Sequence, residues 1–446
     1  MLSYQDNLLH IEGKSLQKLT EELETPFFLF SESRLRKNYA VLERGLSSSD
    51  VRIKIRYCAK TNNEAGVLRL LEDCGSDILV SHLSEAQLAL QCGYSPERIA
   101  FQRPVLDEEE VRNALALGVT FFHAYHMGHL DLLNRVANEL DVEVRISLRL
   151  RNDALTSRLS PIGFLSRRLG FKSSEIFPAG AFLIESRGLR LRALNFYRGT
   201  QQGKPQRYQH LLRKSANLAS RIHSQYGIAI DEINLGGGIP SPSIRSVVKR
   251  MLMRGQTKLW SPTHSTTALE DFARRLSGHF YHEVHSIGLP KLPTLVLEPG
   301  RSIVGNAGIL ITRVRNVQGM WAFVDASRNF LGENPFLFTR HIFPVDMRNR
   351  NSLRYYHLSG STLNTTDIID LWRRLPSITS MDVLAFCDAG AYSISRSNRY
   401  AGMAPAIYLL KTDGSVSMIR RPEDSTDLMS PMIFNDGMSR SSNRIQ

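Results

Sequence analysis

A lysine closes an otherwise apolar run in YCAKTNN (57–63) and is followed by small polar residues that open a helix. At the C-terminal end of a barrel strand the amine of Lys60 would point into the mouth, where barrel enzymes place their chemistry. Partial burial would lower its pKa, and it could then form a Schiff base with a carbonyl cofactor. Taken alone, a strand-end lysine reads more often as a solvated terminus. NLGGGIP (234–240) sets three glycines after a strand, which lets backbone N–H groups approach an anion or simply makes a tight turn. In LEPGRSIVGNAG (297–308), Glu298 ends an apolar strand and Arg301 opens a helix. An acid beside a pyridine nitrogen keeps it protonated and makes the ring an electron sink. The arginine or the helix start could take a phosphate, and the plain alternative is an Arg/Glu pair at a domain junction. DAGAYSIS (388–395) adds an aromatic hydroxyl, Tyr392, after a glycine turn. His123, His126 and His129 cluster near one strand end, yet no carboxylate or cysteine sits at ligand spacing, so no metal site is expected.

The elements that would position these residues follow from periodicity. From about 26 to 300, short apolar runs alternate with amphipathic helical ones: FFLF (27–30) before RLRKNYAVLERGL, RIKIRYCAK before EAGVLRLLEDCG, then DILV, RIAFQ, TFFHAY, VEVRISLRL, LRALNFY, DEINLGG and TLVLEPG. Such repetition suggests a closed parallel (β/α)8 barrel, assigned to 26–305. Beyond about 308 the strand-like segments GILITRVRNV, WAFVDA, HLSG, VLAFCDAGAY and AIYLLKTDGSVSMIRR lack helices between them. They suggest a mainly antiparallel β domain of residues 306–425, completed by 1–25, with KTDGS as a hairpin turn and 426–446 as a tail. A basic, Pro/Ser-bounded insertion at 240–266 reads as a surface loop or a substrate lid.

Bulk composition excludes several classes. At 446 residues, 42% hydrophobic and 22% charged, the chain is globular and large enough for two domains. It has no run of about 18 apolar residues to span a bilayer, and its start, MLSYQDNLLHIEGK, lacks the form of a signal peptide. Four scattered cysteines read as reduced thiols in the cytoplasm. The net charge of +13 is spread through every segment without a basic tail, which fits an anionic cofactor and an acidic metabolite rather than nucleic acid.

Together, TPFFLF, YCAKTN, GGG, EPGR and GAY resemble, in order, the motifs of the alanine-racemase-barrel (fold type III) decarboxylases that use pyridoxal 5'-phosphate (PLP), the group of the diaminopimelate and ornithine/arginine enzymes. The resemblance runs from about Thr25 to Arg421. It implies that Lys60 carries the cofactor and Glu298 pairs with the pyridine nitrogen. It also implies that Gly236, Gly237, Gly238, Gly300, Arg301 and Tyr392 hold the phosphate, with Thr200 of GTQ (199–201) beside it. Asp77 or Ser81 would match a further acid–serine pair. A head-to-tail homodimer with active sites at the interface is implied as well.

Four departures concern the substrate side. NFYRGT places Tyr197 where the family stacks a histidine on the cofactor. GSTLNTTD (360–367) has Leu363 for the proton-donating cysteine and Asn364 for the acid that grips a distal amine, keeping only Asp367. Asn334 stands for a substrate-binding arginine, and Arg168 of SRRLG (166–170) for a lysine. These changes argue for a specialised decarboxylase of an amino acid or amino-acid conjugate, as in siderophore or antibiotic assembly, over ordinary diaminopimelate, ornithine or arginine decarboxylation. A racemase or other lyase on the same barrel would need acid/base groups on both faces of the cofactor, and only Lys60 is evident. Leu363 and Asn364 also suit a PLP-binding regulatory homologue, against which the intact Lys60, Glu298, Arg301 and Tyr392 speak.

Overall fold

A computed structural model of the chain describes residues 1–151, 169–239, 241, 245–246, 266–332, 338–350 and 352–433. Eight strands, Ile53–Cys58, Asp77–Val80, Ile99–Gln102, Phe121–Ala124, Val144–Arg149, Leu189–Asn195, Glu232–Asn234 and Thr294–Leu297, pair in parallel in that order. The last returns to the first, Leu295 opposite Ile53, and the barrel closes. Asp77–Val80, Ile99–Gln102 and Phe121–Ala124 are buried almost throughout. Runs of that kind belong to a parallel sheet covered by side chains within and helices without.

Some of the outer helices start on side-chain caps that satisfy their first N–H groups. Asp107 caps Glu108–Ala116, whose first turn adds three glutamates that favour the positive helix end. Ser31 caps Glu32–Leu46 in the same way. That helix lies against Thr266–Ile287 at close range: a Cβ on Gly45 would come within 2.6 Å of the Glu270 carbonyl oxygen.

FFLF was expected to be the first barrel strand, and it is not one. Phe27–Ser31 pairs antiparallel with Gly308–Gln318 and parallel with Ala406–Leu410, inside a nine-stranded, mainly antiparallel sheet. All five of its residues are buried, and an apolar run with both faces covered does not declare which sheet it joins. The helix after it still belongs to the barrel's outer layer, so the chain enters the second sheet, builds one barrel helix, and only then starts the barrel.

The remaining strands of the large sheet are Trp321–Val324, Ile342–Pro344, Leu353–Ser359, Ile368–Pro376, Val383–Phe386 and Val416–Arg420. Lys411 and Ser415 close the KTDGS turn, with Gly414 at φ +83°. Leu2–Gln5, Leu8–Ile11 and Lys14–Ser15 form a small sheet whose Leu9 and Ile11 pack with Phe27, Ile309, Ile311 and Phe343. The tail is not featureless, because Asp424 caps a short helix, Ser425–Met429. Most of the 240–266 insertion lies outside the described residues; Arg245–Ser246 pairs with Phe338–Thr339. No described helix is long and apolar enough to cross a membrane.

Candidate active site

Cys58, Leu79, Ala100, Phe121 and Ala193 form a small apolar plug from five different barrel strands. Side chains alternate along a strand, so the next position on the same inner face lies two residues on. Those positions are Ser81, Gln102, His123 and Asn195, with Lys60 just past the end of its strand. An apolar layer is thus followed, at the C-terminal mouth, by a polar one.

Lys60 sits on one tight turn, Ala59–Thr61, whose neighbours Ala59, Thr61 and Asn62 are buried while Lys60 opens to the mouth. The second domain clasps this turn. Tyr392 N–H and Ser395 Oγ donate to the Thr61 carbonyl at 2.8 and 3.1 Å, and Asn62 Nδ2 donates to the Gly390 carbonyl at 2.9 Å. The expectation of a lowered lysine pKa is overturned. The Cys58 sulfur, then Tyr392, Tyr125 and Glu298, raise it and outweigh the desolvation that lowers it. Burial pushes the Cys58 thiol up to about 11, so the sulfur raises the Lys60 pKa only as a thiolate, above that pH.

Glu298 lies across the mouth, buried, with Oε1 accepting from Asn234 Nδ2 at 2.6 Å and Asn195 Nδ2 at 3.4 Å. The glycine triplet folds over it. A Cβ on Gly236 would meet the Phe196 carbonyl oxygen at 2.5 Å and one on Gly237 the Glu298 carbonyl oxygen at 2.7 Å. Gly238, at φ +85°, would strike the Gly199 carbonyl oxygen. The GTQ segment is tied to this loop by Gln202 N–H to the Gly238 carbonyl at 2.9 Å, which sets Thr200 beside it. Gly300 leaves room for the Thr61 side chain, and the Arg301 guanidinium lies 4.9 Å over the Tyr392 ring. Tyr197 edges the same loop and carries the Arg149 guanidinium 5.4 Å over its ring. Burial raises its hydroxyl pKa, so the ring is uncharged.

Leu363 and Asn364 are not brought to this mouth within one chain by any contact among the described residues. Their loop is fixed at its root by buried Asp367, which accepts from Ser327 Oγ (3.2 Å), Arg328 N–H (2.8 Å), Thr362 N–H (3.0 Å) and Thr362 Oγ1 (2.6 Å). Asn364 Oδ1 accepts from Thr366 N–H and Oγ1, both at 2.9 Å. Leu363, at the tip, is fully exposed. Arg168 and Asn334 lie outside the described residues.

The sequence profile of "Pyridoxal-dependent decarboxylase, pyridoxal binding domain" matches residues 33–305. The chain belongs to that family. A diaminopimelate decarboxylase of Methanothermobacter thermautotrophicus is 27% identical over 435 residues, covering 94% of each chain. An L-glutamyl-[BtrI acyl-carrier protein] decarboxylase of Niallia circulans is 22% identical, covering 95% of this chain and 97% of its own. The fold is shared with the crystal structure of a diaminopimelate decarboxylase from M. jannaschii in complex with L-lysine, at TM-score 0.86 and 22% identity, over 98% of this chain and 99% of that one.

This decarboxylase is therefore a PLP-dependent carboxy-lyase acting on an amino acid. The residues present fit the cofactor: an accessible amine, a buried carboxylate across the mouth, and a glycine cradle that any Cβ would fill. Of the acid–serine alternatives, Asp77 starts its strand at the far end of the barrel, 3.3 Å from Lys54, whereas Ser81 directly follows the strand's last residue at the mouth. Sequence reasoning missed Asn195, Asn234 and Arg149, whose Nη1 donates to Asn195 Oδ1 at 2.5 Å. Stepping two residues on from each plug residue would have found Asn195.

Proposed function

We propose that this decarboxylase removes the carboxyl group of an amino acid whose distal end is conjugated, not a free ammonium, within a specialised biosynthetic pathway. The observation that carries the reading is the Leu363–Asn364 loop tip, which carries no charge, held out by a loop whose one acid, Asp367, is consumed at its root. A tip without charge cannot grip a distal ammonium, whereas an acyl or carrier linkage has none to grip. The relative named for a carrier-linked glutamyl substrate supports the same class.

In this reading Lys60 would carry the cofactor and Glu298 would pair with its ring nitrogen. Gly236, Gly237, Gly238, Gly300, Arg301, Thr200 and Tyr392 would hold its phosphate, and Tyr197 would serve the ring. PLP when bound supplies an electron sink for the pair left as CO2 departs. The protein's part is positional. The Arg149 guanidinium gives the mouth positive charge that favours a carboxylate substrate, and the buried Glu298 faces it from the other side of Asn195. Leu363 and Asn364 serve the substrate side by reaching the mouth of a second copy in a head-to-tail homodimer. The four free cysteines suit a cytoplasmic enzyme.

The test is CO2 release by the holoenzyme from free diaminopimelate, lysine, ornithine and arginine, against amino acids amide- or thioester-linked at the distal end. Turnover of the linked class alone is expected. Turnover of free diaminopimelate at about 1 s⁻¹ or faster, an ordinary enzyme rate, overturns the proposal.

A further inference from the structure

Glu298 divides its two oxygens. Oε2 faces the glycine loop, 3.6 Å from where a Gly236 Cβ would stand. Oε1 turns into the barrel, where the donors gather, and their orientations are forced. Asn234 Oδ1 accepts from Gly236 N–H at 2.8 Å, and Asn195 Oδ1 accepts from Arg149 at 2.5 Å, so both amide nitrogens must point at Glu298. One more group faces that oxygen. His123 Nε2 is 3.7 Å from Oε1, the ring is 1% exposed, and neither ring nitrogen has a partner at hydrogen-bond distance.

We infer that His123 is a positioning residue that, as a neutral ring, donates from Nε2 to Glu298 Oε1 and keeps that carboxylate ionised and aimed. The inference rests on the reading of Glu298 as the partner of the cofactor's ring nitrogen. A buried carboxylate pays heavily for its charge unless several donors share it, and two amides fill only part of its acceptor capacity. A neutral donor adds support without a competing charge; an imidazolium would draw the carboxylate away from the ring nitrogen. The surroundings keep the ring neutral: burial first, then Arg56 and Arg149, hold its pKa down to about 3, against Glu232 and Asn195. A separation of 3.7 Å is long for a hydrogen bond, and such contacts tighten when a site is filled. A histidine that merely filled space would be replaceable by phenylalanine without consequence at the cofactor.

The experiment compares holoenzymes carrying His123→Phe, His123→Gln and Glu298→Gln with the parent, reading kcat, KM and the cofactor's absorbance against pH. His123→Phe is expected to lower kcat about tenfold to hundredfold, the worth of one hydrogen bond to a charged group. KM should hold, the cofactor spectrum should shift, and His123→Gln should recover most of the loss. In the apoprotein, ¹⁵N NMR of labelled histidine should show His123 neutral, protonated at Nε2, and shifted by Glu298→Gln. That measurement decides even if His123→Phe fails to fold. A ring protonated at Nδ1, or indifferent to Glu298→Gln, overturns the inference. So does a normal His123→Phe enzyme beside an impaired Glu298→Gln one. A normal Glu298→Gln enzyme would instead overturn the reading of Glu298 itself.

Discussion

The barrel mouth and the Leu363 loop are built by opposite rules. At the mouth, Lys60, Glu298, the glycine triplet and the clasp from Tyr392 come together within one chain. The loop spends its hydrogen bonds on its own root through Asp367 and leaves Leu363 in solvent. The mouth is organised around a cofactor it must always hold. In the proposed reading specificity lies in the loop, where the exposed Leu363 packs against neither core nor glycine cradle.

The contrast breaks most simply at the mouth. Lys60→Ala should abolish the visible cofactor band of the holoenzyme and lower turnover by about 10⁴-fold or more, as loss of a covalent anchor does. A mutant that keeps both band and rate would remove Lys60 from the chemistry. Beneath the mouth, Glu232 sharpens the same side. Burial pushes its carboxyl up, but Arg56 and Lys54, at 3.1 and 3.0 Å, outweigh it and bring it down to about 2. Its unfolded value is about 4.3. A depressed folded pKa adds stability that is complete above the unfolded value and lost as pH falls toward the folded one. The difference in unfolding free energy between parent and Glu232→Gln should therefore shrink from about pH 4.3 to about pH 2, by on the order of 3 kcal/mol, in denaturant titrations. A flat difference would mean that the ion pair adds nothing.

On the loop side, Asp367→Ala removes the acceptor of four hydrogen bonds in a buried position. It should cost roughly 2–4 kcal/mol by thermal or chemical unfolding, while the Lys60-dependent cofactor band survives. Loss of the band together with stability would show that loop and mouth are not separable.

What the sequence reveals follows the same division. Lys60, the glycine triplet, Glu298, Arg301 and Tyr392 are legible because each stands at a break in pattern, where a strand gives way to a turn and the residue type has no packing reason to be there. Asn195 and Asn234 close their strands and His123 stands among three histidines, but the significance of each depends on Glu298, which reaches them only in the fold. The barrel and the second sheet are legible as a change of rhythm near residue 308, but the sheet that Phe27–Ser31 joins is not, since pairing is non-local. The direction of the Lys60 shift is only partly legible for a related reason: Cys58, its largest cause, stands two residues away in the sequence, but Tyr392, Tyr125 and Glu298 reach the lysine only through the fold.

The smallest expected effect is a change in product ratio, and it bears most directly on the loop. After CO2 leaves, a proton must reach the substrate carbon; delivered to the cofactor carbon instead, it yields aldehyde and pyridoxamine phosphate after hydrolysis. Leu363 has no proton to give, so the parent should form a measurable fraction of aldehyde and lose PLP slowly during turnover. Leu363→Cys restores a thiol at the exposed tip and should raise the amine-to-aldehyde ratio several-fold, a difference of about 1 kcal/mol between competing transfers, with little change in stability at so exposed a position. Quantifying amine, aldehyde and pyridoxamine phosphate from one reaction measures that ratio. Amine alone from the parent, with intact cofactor, would mean that a group within the mouth already delivers the proton, and the loop would then govern substrate choice without taking part in the chemistry.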